Sequence, residues 1–157
     1  MNNSCGVCER IELTKQGKNP YFVKELKTGY VVLGDIQRFK GYTLFLCKEH
    51  KTELHFLEKE YKKLFLEEMA LVAEAVYEAF KPEKLNYELL GVGNCTHMHW
   101  HIFPRQAGDT PKPGPVWRIE KSEMNAEKYR PNEEELSQLK ERLSRALDKV
   151  LEKQKIE

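Results

Sequence analysis

The chain lacks an excess of charge of either sign: 26 Lys and Arg stand against 25 Asp and Glu in 157 residues. There is thus no global field to draw in a nucleic acid, and no nucleic-acid partner is expected. It also lacks long apolar runs. None approaches the roughly 18 residues that a membrane-spanning helix needs, and Met1-Asn2-Asn3-Ser4 is polar rather than basic and then apolar like a signal peptide. No membrane partner is expected, and the location expected is cytoplasmic. Internal repeats are absent. Cysteines number only four, and in a reducing compartment they are expected as thiols or metal ligands rather than disulfides.

Histidine is also scarce, with five in the chain, yet three of them fall in His97-Met98-His99-Trp100-His101-Ile102-Phe103. This is the alternation of a β-strand. Successive side chains point to opposite faces, so His97, His99 and His101 share one face and Met98, Trp100 and Ile102 the other. Same-face neighbours lie roughly 6.6 Å apart, close enough for the imidazoles to share one phosphate or one metal neighbourhood. A surface strand that happens to be rich in histidine is the plain alternative, and the bulky apolar residues behind it weigh against that.

Other runs give the frame. Phe22 to Leu26, Tyr30 to Leu33, Tyr42 to Cys47 and Leu85 to Leu90 read as strands. Residues 9 to 18 suggest a short helix ending at Gly17. Residues 59 to 80 carry apolar side chains at helical spacing and stop at Lys81-Pro82, which predicts one long amphipathic helix. Pro111, Pro113, Gly114 and Pro115 make residues 106 to 117 a loop, with Trp117 as its apolar anchor. Beyond Pro131, Asn132 and three glutamates look like a helix start, and Leu136, Leu139, Leu143 and Leu147 form a stripe running to Val150 or Leu151. That stripe packs on the chain's own domain or makes a dimer contact. About five strands with one crossing helix suit an antiparallel sheet packed on helices, an α+β domain. The expected division is a domain over 1–118 and an extension over 119–157 whose helix packs on it.

Cys5-Gly6-Val7-Cys8 has the spacing that brings two thiolates to one tetrahedral ion. A redox pair is the rival, but such a motif normally opens a helix after a strand, and only four residues precede this one. Cys47 and Cys95 read as small buried residues. His55 reads as an ordinary surface histidine.

The triplet with its flanking Pro104-Arg105 resembles the signature of the histidine triad (HIT) family, in which three histidines alternate with apolar residues. Weaker echoes lie at Asp35, at Gly41 to Leu46 and at Lys48-Glu49-His50. The resemblance implies a HIT-like fold and a homodimer. It also implies a nucleotide hydrolase in which His99 attacks the α-phosphate of a purine nucleotide derivative, a phosphoramidate or dinucleoside polyphosphate. A covalent nucleotidyl-histidine then forms, and His101 donates a hydrogen bond to the phosphoryl oxygens. Related transferases carry glutamine at the third histidine, so His101 favours hydrolysis over nucleotidyl transfer; a non-catalytic nucleotide-binding or interaction protein is the other alternative.

Zinc-containing members are similar in using two cysteines, a histidine between motifs and the first histidine of the triad. The implied set here is Cys5, Cys8, His50 and His97, holding one structural zinc per chain. Three histidines around a catalytic zinc would leave the two cysteines without a purpose. Asp35 matches an acid that accepts hydrogen bonds from ribose hydroxyls, though an aspartate after Gly34 also has a local turn explanation. Asn94 and Thr96 are candidate nucleotide contacts. The loop holding them, Gly91-Val92-Gly93-Asn94-Cys95-Thr96, is shorter than in many family members and lacks their glutamine.

Overall fold

The computed structural model describes residues 4–156, so the reading of Met1 to Asn3 and of Glu157 lies outside the described residues. Five strands, β1 (Phe22–Glu25), β2 (Gly29–Leu33), β3 (Thr43–Cys47), β4 (Lys84–Glu88) and β5 (His99–Arg105), form one sheet in the order β1-β2-β3-β5-β4. Every neighbouring pair is antiparallel. With its helices this is an α+β domain. Among the described residues no helix is long and apolar enough to cross a membrane.

Alternation along the strands gives the sheet two different faces. Val31 and Leu33 of β2, Phe45 and Cys47 of β3, and Ile102 of β5 point to the main core, where helix α2 (Lys59–Phe80) supplies Phe65, Val72 and Val76. The opposite face carries Tyr30, Val32 and Leu46, packed against Val7 and Ile11 of helix α1 (Gly6–Lys15). His99 and His101 stand on this second face, since they pair in register with Leu46 and Leu44. The buried Met98 and Ile102 and the half-buried Trp100 anchor the strand from behind, as the alternation predicts.

Two elements differ from the sequence reading. Helix α1 starts at Gly6, not near residue 9, because the Cys5 sulfur caps it by accepting from the Cys8 amide at 3.4 Å. The Cys-x-x-Cys pair therefore does open a helix, although no described strand precedes it. The second difference is the short helix α3 (Lys121–Met124), which sits in a segment with no readable periodicity.

The last helix, α4 (Glu133–Ile156), is capped as the sequence suggests: Asn132 and Glu135 exchange side chain to backbone hydrogen bonds, each 2.9 Å. Its stripe lies on the chain itself. Leu139, Leu143, Leu147 and Val150 are buried in the main core, and α4 packs along α2 and β1. Inside α2, Glu68 is buried, and its carboxylate accepts from the amides of Lys27 and Thr28 at 2.9 and 2.8 Å and from the Thr28 hydroxyl. Three donors on one carboxylate offset its desolvation and pin the turn between β1 and β2.

Candidate active site

The geometry around each histidine fixes which ring nitrogen is free. His99 Nδ1 lies 2.7 Å from the carbonyl oxygen of His97 and donates to it, which puts the lone pair of the neutral ring on Nε2. His101 is set the other way. Its Nδ1 accepts from the Tyr42 hydroxyl at 2.5 Å, so Nε2 carries the proton. Burial and the Coulombic effect of Tyr42's neighbours Glu88 and Asp35 raise the phenol well above its usual range and keep it a donor. Burial, with a smaller contribution from His99, holds His101 down at about 4, so it is a neutral N–H donor near pH 7. The two rings lie 4.7 Å apart by centroid. One site thus presents a nucleophilic nitrogen beside an N–H donor.

Tyr42 was not singled out by the sequence. It stacks on Phe103 at 4.2 Å and on His101 at 5.9 Å, nearly parallel to both. A β-carbon at Gly34 would collide with the Tyr42 ring, so glycine leaves the space that this side chain occupies.

His97 turns away from this pair. Its Nε2–H donates to the Cys47 carbonyl at 2.7 Å, which frees Nδ1. That nitrogen lies 3.7 Å from Cys5 Sγ and 3.4 Å from Cys8 Sγ, while His50 Nδ1 lies 3.1 Å from Cys8 Sγ. The ligand atoms of Cys5, Cys8, His50 and His97 all fall within 4.8 Å of one another. Zinc bonds of about 2.3 Å to sulfur and 2.0 Å to nitrogen at tetrahedral angles put such atoms roughly 3.5 Å apart, so the donor set and its spacing fit the ion. These residues join the helix α1 terminus to the strand that bears His99.

A cleft of about 320 Å³ opens beside His99. Asp35 lines it, as do Val7 and Arg10 from α1 and Met124 and Asn125 at the end of α3. Asp35 is not free, because Arg10 bonds its Oδ2 at 2.8 Å. Asn94 is exposed and Thr96 half-buried; neither lines this cleft, whereas Cys95 between them does. Besides Tyr42, the sequence reading missed Arg10, Met124 and Asn125. Their roles come from long-range packing, and no spacing signals it. His55 is exposed against Phe56 and belongs to no part of the site.

Comparison with known proteins came down to one family. The HIT domain profile matches residues 20–108, and no curated protein matches the chain. Among solved structures, a histidine triad protein from Sinorhizobium meliloti is similar at TM-score 0.69 and 22% identity, over 87% of this chain and 93% of that one. A structure described as a hypothetical histidine triad nucleotide-binding protein from Sulfolobus tokodaii gives TM-score 0.68 at 18% identity, over 91% and 93%. A Zn-bound histidine triad family protein from Mycobacterium smegmatis gives 0.61 at 20%, over 92% and 97%.

Proposed function

The chain belongs to the HIT family, and from that premise we propose that it is a nucleotide hydrolase acting on the α-phosphate of a purine nucleoside phosphoramidate or dinucleoside polyphosphate. The observation that carries this reading is the opposite protonation of neighbouring imidazoles. A bare Nε2 on His99 attacks phosphorus, and the Nε2–H of His101 stabilises the charge that develops on the phosphoryl oxygens. His99 on a rigid strand has a fixed line of attack. The nitrogen–phosphorus bond forms as the bond to the leaving group breaks. Water then hydrolyses the nucleotidyl-histidine and releases the nucleoside monophosphate.

In this reading the nucleoside occupies the cleft of about 320 Å³, with the purine against Val7, Ile36 and Met124. Asp35 has one carboxylate oxygen on Arg10 and the other available to the ribose hydroxyls. Asn94 and Thr96 remain proposed phosphate contacts. Zinc, one per chain, would be held by Cys5, Cys8, His50 and His97 and would supply rigidity rather than chemistry. His97 is then committed to the metal and takes no part in the attack. The protein is also proposed to work as a cytoplasmic homodimer, with residues 1–118 as the HIT domain and 119–157 as an extension.

The deciding experiment is incubation with adenosine 5′-phosphoramidate or a dinucleoside polyphosphate. Release of AMP supports the hydrolase. Thermal stabilisation by AMP without turnover would replace it with a nucleotide-binding protein.

A further inference from the structure

Displacing an amine or an alkoxide from phosphorus leaves an electron pair on a basic atom, which must be protonated as it departs. His101 is neutral and passes no proton without becoming an anion. His99 has its one N–H on the His97 carbonyl. Tyr42 is committed to His101 and is a weaker acid than an ordinary phenol.

One acid stands next to them. Glu88, the last residue of β4, pairs in register with His101 of β5, so the two side chains project from the same face as nearest neighbours across the strands. Glu88 lies on the opposite side of His101 from β3, and hence from the cleft that holds Asp35. It lines a second cleft, of about 810 Å³, that runs along β4 past Asn86 and Arg105 to Pro115. His99 thus lines the first cleft and Glu88 the second, on opposite sides of His101 in the sheet. Glu88 Oε2 is buried and has no hydrogen-bond partner among the described residues. Burial raises the carboxyl toward the protonated state, against the smaller opposing pulls of the Arg105 guanidinium and the Trp117 indole N–H.

We propose that Glu88 is the general acid of this reaction, protonating the leaving group as its bond to phosphorus breaks. The step balances. The His99 Nε2 lone pair forms the new bond to phosphorus, the electrons of the broken bond pass to the departing nitrogen or oxygen, and that atom takes the Glu88 proton. In the second half the Glu88 carboxylate recovers a proton from the attacking water, and the phosphorus–nitrogen bond to His99 breaks. This assignment rests on the hydrolase reading and adds a role to a residue outside the histidine motif.

A proton donor is needed only when the leaving group is basic, and that separates chemistry from structure. Glu88→Gln should lose about 10²-fold in kcat/KM, which reports the leaving-group step and not the later hydrolysis of the shared intermediate, on an adenosine 5′-phosphoramidate with an aliphatic amine, and under about threefold in kcat/KM on the 4-nitrophenyl ester of AMP. Should the glutamine variant fold poorly, Glu88→Ala with added formate carries the same test, formate restoring kcat/KM for the amine substrate alone. An equal loss of kcat/KM on both substrates, no loss on either, or no formate rescue would overturn the role of Glu88. A wild-type protein that turns over neither substrate would instead overturn the hydrolase reading, and Glu88's role with it.

Discussion

The Tyr42 hydroxyl and His101 Nδ1 are 2.5 Å apart, and this contact decides which nitrogen of His101 faces the substrate with a proton. Tyr42→Phe keeps the ring on Phe103 and removes only that tautomer lock. Activity should fall about 10- to 100-fold, mainly in kcat, while stability drops by about 1 kcal/mol for the lost hydrogen bond. Steady-state kinetics with a melting curve check both, and unchanged kcat would show that His101 needs no such lock.

Replacing the His99 imidazole should do far more. His99→Ala is expected to lose roughly 10³-fold or more in turnover while zinc content and fold are kept, because His99 holds no ligand position. Metal analysis and circular dichroism run beside the assay, and substantial remaining hydrolysis would exclude attack by His99.

Acid should destabilise the fold through His101. Its folded value of about 4 lies below the ordinary 6.5, so the unfolded chain binds the proton more readily between those values. Stability is then complete above about pH 6.5 and falls as pH drops toward 4, by on the order of 2 kcal/mol. Around this ring stand Tyr42, His99 and Glu88. His101→Gln should flatten the fall in melting temperature over that window, and an unchanged slope would assign it to other groups.

Cys5→Ser combined with Cys8→Ser should abolish zinc binding and lower the melting temperature. Helix α1 would lose its tie to His97, and the wall that Val7 and Arg10 give the nucleoside cleft would loosen. KM should rise more than kcat falls. Elemental analysis that finds zinc retained in the double variant would remove these cysteines from the site.

A homodimer remains expected, but not through the α4 stripe, which is buried in its own chain. Of the two edge strands, β4 is the one near which Tyr87, Leu90 and Val92 are exposed. Sedimentation at micromolar concentration should give twice the 18.5 kDa chain mass, and Leu90→Asp with Val92→Asp should shift it to monomer. A wild-type monomer would defeat the assembly.

The sequence was most legible where a period imposes itself. Alternation put His99 and His101 on one face, whereas His97 lies before β5 begins and turns toward Cys5 and Cys8, and the apolar spacing of residues 59 to 80 gave α2 its bounds. Cys5 and Cys8 pointed to a candidate metal cluster because only a few side chains suit that chemistry, and the structure gathers their ligand atoms with those of His50 and His97. The start of α1 was not legible, since Gly6 is a poor helix former and the cap is a cysteine sulfur. Tyr42 and Glu88 could not be tied to His101 from sequence either. Their proximity depends on a stacked ring and on the β4–β5 register, and neither leaves a trace in local spacing.

The most direct test of the central claim is to trap the intermediate. Protein mixed with adenosine 5′-phosphoramidate, quenched in base during turnover and digested, should yield the peptide bearing His99 with one added AMP. His99→Ala should yield none. Turnover with no adduct on His99, together with inversion of configuration at phosphorus, would contradict a covalent nucleotidyl-histidine and leave direct attack by water.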